Sequence, residues 1–265
     1  MLGFSCLLQG ELKESFSYQE RIQLLKMATF GINADLLQDV NTTNTENIAS
    51  KDIAWLDSQL NSPSAYDDSD DEWKTHLQRV VDLTISSMPS VDFYNLGDEK
   101  DNHNIFNRKT ANGVTQHYQM AAWWDNALGN VNLDERIGTD QLRQRAAYGL
   151  SQLLVVSKSA SPLHRRGEGL AHYYDILVRN AFGNYETLLQ EALRSPAMGV
   201  FLSSAFNKKA SLANNTRPDE NLAREFLQLF TIGPYELNLD GSVKMDEAGE
   251  IIPSYSQNDI MEMAK

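Results

Sequence analysis

Asn221, Arg224, Glu225 and Gln228 recur at i, i+3, i+4 and i+7 in one short segment, the spacing that gathers side chains on one face of a helix. An arginine and a carboxylate so placed can form a buried pair, grip a polar ligand, or move a proton from a carboxyl whose pKa a cleft has shifted. Glu220 stands four residues before Arg224, the spacing of a surface helix pair worth about 0.2–0.5 kcal/mol. A second ladder, Gln141, Arg145, Tyr148 and Gln152, climbs a helix that also carries Leu142, Leu150, Leu153 and Leu154. Apolar neighbours cover much of both helices, and a covered charge must be paired. The pattern therefore predicts a buried polar network, with Glu225 paired to Arg145 or Arg224. A ligand-facing stripe and a solvated face are the alternatives.

A third constellation, Glu168, His172 and Asp175, is spaced i, i+4 and i+7. One helix face can offer such residues as metal ligands, although metal sites collect ligands from several elements. The competing reading is a hydrogen-bonded helix histidine beside Tyr173 and Tyr174. Trp123 and Trp124 could stack on a sugar, but adjacent helix residues point about 100° apart. At least one of them is expected in the core. Gly-x-Ser-x-Gly, His-Glu-x-x-His, P-loop and Gly-x-Gly-x-x-Gly patterns are absent, so no nucleophile or nucleotide motif is in view.

The elements that must position these residues read as helices. Ser17-Tyr-Gln-Glu20 and Ser69-Asp-Asp-Glu72 are capping boxes, opening helices that stop at Gly31 and before Pro89. Asn33 caps a short helix with Leu36 and Leu37, and another spans Ile53 to Leu60. Residues 90–112, rich in Asp, Asn and Gly, read as a long loop. Helices follow at 113–128, 139–157, 168–181, 185–194 and 197–206. The next runs over 218–232, with Pro218 in its first turn and Gly233 as its cap. Asp240-Gly241 and Ala248-Gly249 are turn signals and predict one small β-hairpin near 236–254. A calcium loop of Asn238, Asp240, Asp246 and Glu250 is the sharper alternative, but its spacing does not fit an EF-hand. Ser256-Gln-Asn-Asp259 opens a last helix.

The chain has 265 residues, 42% of them hydrophobic, and a net charge of −13. A core of that size needs no staples, and a single cysteine, Cys6, allows no intramolecular disulfide. The charge opposes a phosphate backbone, and the short clusters His164-Arg-Arg166 and Asn207-Lys-Lys209 do not make a basic footprint. No nucleic-acid partner is expected. No run approaches the roughly 18 apolar residues of a membrane span. Met1 to Leu8 faintly suggests the end of a lipoprotein signal around Cys6, without its basic start. Residues 1–15 read as a tail, and 16–265 as a single mostly α, irregular multi-helix domain.

Several segments in order resemble the DUF1800 family of bacterial proteins: Asp140 to Gln152, Tyr174 to Asn184, Ser195-Pro-Ala-Met-Gly199, Arg217 to Gly233, and Tyr255 to Ile260. Lys26 to Gly31 with Trp55 to Leu60 is similar to the family's opening element. Relatives commonly carry Glu and His where this chain has Gln228 and Phe230, which argues against chemistry at those two positions. The resemblance implies a helix continuing past Lys265, hence a C-terminally truncated member. It also implies a periplasmic or extracellular setting and a protein partner from an exported, sulfatase-related family. The expected role is that of a non-catalytic accessory or binding protein of the cell envelope. The alternative is a hydrolase using Glu225, Arg224, His172 and groups beyond the chain. Neither reading names a cofactor.

Overall fold

The structure, a computed structural model, describes residues 18–31, 55–56, 59–60, 75–87, 115–128, 140–211 and 213–265. The tail with Cys6, both N-terminal capping-box serines, the short helix at Leu36 and Leu37, and the loop 90–112 lie outside these. The described chain is mostly helical: α1 (Tyr18–Ala28), α2 (His76–Ser87), α3 (Thr115–Leu128), α4 (Gln141–Ser151), α5 (Gly167–Arg179), α6 (Tyr185–Arg194), α7 (Pro196–Phe201), α8 (Asn221–Glu225) and α9 (Gln257–Met263). None of the described helices is long and apolar enough to cross a membrane.

Helix α5 is the axis of the assembly. Six consecutive residues, Tyr173 to Val178, are buried, as befits a helix covered on every side. One side meets α2 and α3 through Val80, Ala122 and Ala171, where two alanines let the backbones approach closely. The other sides meet α4, α6, α7 and the segment after α8, through Ala147, Leu177, Leu188, Met198 and Phe230.

Local signals set most helix starts. Asn184 caps α6 by accepting from the Glu186 N–H, and Ser195 caps α7 in the same way, with Pro196 in its first turn. The capping box read at Ser256 and Asp259 opens α9. Helix ends depart from expectation. Helix α4 stops at Ser151, not 157: the chain turns there so that Leu154 enters the core and its carbonyl accepts from the Tyr173 hydroxyl at 2.6 Å. Helix α7 ends at Phe201, not 206, because Ser203 and Phe206 adopt left-handed backbone, which a helix cannot continue through.

The helix expected over 218–232 starts at Asn221 and changes character after Glu225. Residues Phe226–Phe230 form a turn of π-helix. Thr231 Oγ1 donates to the Phe226 carbonyl at 2.7 Å, and the Gly233 N–H closes the end on Leu227 at 2.9 Å. Gly233 sits at φ +76°, the left-handed cap that its sequence position predicts.

The expected β-hairpin near 236–254 is not formed as paired strands, and no sheet occurs among the described residues. Isolated antiparallel bridges hold the segment instead: Tyr235 with Pro253, Leu237 with Val243, and Met245 with Ile251. Both turn glycines take positive φ. The carboxylates read as calcium ligands serve these turns: Asp240 Oδ1 accepts from Ser242, and Asp246 Oδ1 accepts from the Ala248 and Glu250 N–H groups.

Candidate functional site

The two ladders read from the sequence are not joined. Arg224 pairs with Glu220 at 3.0 Å and also donates to Gln257 Oε1 at 3.2 Å. Gln257 in turn donates to Glu220 at 2.8 Å. This small network ties α8 to α9 and is partly exposed rather than buried. The buried Glu225 pair is a correction. Glu225 is half-buried and pairs with neither Arg145 nor Arg224. Asn221 and Gln228 are exposed. The π-turn explains Gln228: an i→i+5 turn takes an extra residue, so the face shared by Arg224 and Gln228 in a regular α-helix is lost.

Glu168, His172 and Asp175 also part company. Glu168 approaches Arg166 at 3.6 Å, His172 is exposed, and Asp175 is buried. Asp175 spans two helices: its oxygens accept from the His76 N–H at 2.8 Å and the Leu77 N–H at 3.0 Å. It therefore caps α2 from α5 and satisfies two of the orphan donors of that helix's first turn. Among the described residues no group of three His, Cys, Asp or Glu side chains is placed to hold a metal ion.

Beneath α5 lies a polar chain that pattern reading missed. His76 Nε2 lies 2.9 Å from Gln144 Oε1, and Gln144 Nε2 donates to Asp140 at 3.2 Å. With the Gln144 amide nitrogen facing Asp140, its carbonyl accepts from His76, which makes Nε2 the protonated nitrogen of a neutral ring. Burial drives the imidazole pKa down to about 4, against the raising effect of the Gln144 hydrogen bond. Burial also raises Asp140, opposed by the Gln144 hydrogen bond and the nearby Arg143 charge. All three side chains are buried, so they hold the interior together and are closed to substrate.

The ladder on α4 leads elsewhere. Gln141 is buried, while Arg145, Tyr148 and Gln152 line a cavity of about 680 Å³. Helix α3 supplies Gln119, Met120, Trp123 and Trp124 to the same cavity, at i, i+1, i+4 and i+5 on one face. Helix α5 supplies Leu170, Tyr173, Tyr174 and Leu177 as the floor, at i, i+3, i+4 and i+7. Phe30, just past α1, Ser151 at the end of α4, and Val155 to Lys158, after α4, complete the described lining.

Trp123 organises the walls. Its ring meets Phe30 at 5.2 Å, Trp124 at 4.9 Å, Tyr148 at 5.9 Å and Tyr174 at 6.3 Å, three of these edge-to-face. Such ring pairs contribute about 0.5–1.5 kcal/mol each beyond area burial, so the wall is built before any ligand arrives. Trp123 packs on the core, as expected for one of the two tryptophans, while Trp124 is 49% exposed at the mouth.

The Arg145 guanidinium lies over Phe30 at 5.3 Å and over Tyr148 at 5.7 Å. The described lining contains Arg145 and Lys158 but no carboxylate, imidazole or thiol. The tyrosine hydroxyls of the floor are committed to carbonyls: Tyr173 donates to Leu154 and Tyr174 to Gln144. Chemically the cavity can hold and orient a molecule. Its sequence signal was the combination of the Arg145 ladder with Trp123 and Trp124, but nothing in the pattern placed Phe30 or Lys158 beside them.

No curated protein and no solved structure matches the chain. The family model described as "Protein of unknown function (DUF1800)" matches residues 23–265, nearly the whole sequence, and the chain belongs to that family.

Proposed function

We propose that this chain is a non-catalytic binding protein whose site is the aromatic cavity between α3, α4 and α5. The observation that carries this reading is the composition of the described wall, in which preformed rings and two cations line the space and no described lining residue is a carboxylate or imidazole that could transfer protons. Catalysis at a hydrolase site asks for such a group with a perturbed pKa in a cleft. His76, whose pKa burial lowers to about 4, and Asp140, whose pKa burial raises, are sealed in the interior. The family resemblance adds the bacterial cell envelope as the setting, periplasmic or extracellular, and an exported sulfatase-related protein as partner.

Thermal unfolding of the chain with a panel of small amphipathic compounds tests the reading. A ligand at a hundredfold its Kd adds about 2.7 kcal/mol, which raises Tm by roughly 5–10 °C for a chain of this size. The rise should vanish in Trp124→Ala. No stabilisation by any compound, or chemical conversion of a compound that binds, would count against a binding role.

A further inference from the structure

Arg145 and Lys158 stand out in a chain that carries 36 acidic residues and a net charge of −13. Both line the cavity, no described lining residue is acidic, and neither forms an ion pair or hydrogen bond with a described residue. Arg145 is half-buried in a largely apolar wall, where its charge has no described counter-ion and an anion can meet it. The Arg145 guanidinium lies over the Phe30 and Tyr148 rings, which meet at 82°, and this cation–π contact leaves its N–H groups without a hydrogen-bond partner among the described residues. The guanidinium fork matches a carboxylate in bidentate geometry.

The rest of the wall limits what the anion can be attached to. A hydroxyl-rich ligand such as a sugar needs free donors and acceptors around it. Here the Tyr173 and Tyr174 hydroxyls are spent on carbonyls. Ser151 donates to the Tyr148 carbonyl and accepts from Gln152, and Ser157 accepts from the Ser159 N–H. Gln119, Tyr148 and Gln152 keep some polar capacity, but the described wall is mostly apolar, with Met120, Val155 and Leu170 beside the rings around Trp123. Rings meeting at 70–80° form an edge-to-face array that one more ring can extend at the usual 4.5–7 Å spacing.

We propose that the cavity binds an aromatic carboxylate, its ring against Trp123 and Trp124 and its anionic group on Arg145, with Lys158 as the second cation at the rim. This rests on the binding reading above and names the ligand class of that same site.

Isothermal titration of the intact chain with 2-naphthoate, its neutral counterpart naphthalene-2-methanol, and glucuronate separates the claims. A charge-assisted hydrogen bond contributes about 1.5–3 kcal/mol, so 2-naphthoate should bind about tenfold or more tighter than the alcohol. Arg145→Gln should bring the two affinities within about twofold, with the larger loss on 2-naphthoate. Lys158→Gln, at an exposed position, should narrow the gap by about threefold without disturbing the fold, as circular dichroism will check. Glucuronate should give no measurable heat. Equal binding of naphthoate and alcohol to the wild type would overturn the anion claim and leave the binding role standing. Tighter binding of glucuronate than naphthoate would overturn the aromatic claim. If no probe binds and the thermal panel is also blank, the binding role itself falls.

Discussion

A histidine sealed at 2% exposure makes the fold sensitive to acid. The folded chain keeps His76 neutral down to about pH 4, whereas the unfolded ring titrates near 6.5. As pH falls, the unfolded state takes up the proton first. The stability contributed by the neutral ring is complete above about pH 6.5, falls between 6.5 and 4, and changes no further below. A shift of this size amounts to about 3 kcal/mol. Asp140, raised by burial, works in the opposite sense, because its protonation in the fold adds stability as pH drops through its folded pKa. Urea denaturation of wild type and His76→Gln across this range isolates the imidazole as the difference between them. Direct NMR titration of the ring should show it unprotonated at pH 5. A ring that titrates near 6.5 in the fold would overturn the prediction.

At the level of elements, the segment most legible in sequence is the least regular in space. Its glycine cap follows from Gly233, whereas its start falls at Asn221, three residues past the Pro218 that the pattern placed in the first turn. The π-turn does not follow from the pattern, because periodicity reports which faces are apolar and not which carbonyl each N–H chooses. The Glu225–Arg145 contact failed for that reason and because pairing between helices depends on packing that spacing does not encode. Glu225→Ala should therefore cost less than about 1 kcal/mol, the range of exposed groups, where a buried pair would cost about 3–5. Equilibrium denaturation decides, and a loss above about 2 kcal/mol would mean that a hidden partner exists. The α4 ladder was legible as a polar stripe on an apolar helix. Its destination was not, since Phe30, Trp123, Arg145 and Tyr173 come from four separate segments.

For the molecule as a whole, α5 is the member on which the other helices depend. The predominance of helix was readable from caps and 3.6-residue spacing, but the centrality of α5 was masked by Glu168, His172 and Asp175, which looked like a ligand face. Asp175 instead belongs to the packing, as a charge satisfied by the end of α2. Leu177 is fully buried at the centre of the main core and also floors the cavity. Leu177→Ala should destabilise by roughly 3 kcal/mol, within the range for buried leucines, through lost burial and the space left behind. Chemical denaturation measures this. A cost under about 1 kcal/mol would show that α5 is not the centre of the packing.

The bond from Asp175 to the start of α2 joins residues 99 apart. On a ribosome adding about 5–20 residues per second, His76 is made roughly 5–20 seconds before its cap exists. During that interval the His76 and Leu77 amides at the front of α2 lack the carboxylate that caps them, and the apolar face around Val80 awaits Ala171. The contacts that complete α2 therefore form only once α5 has left the exit tunnel.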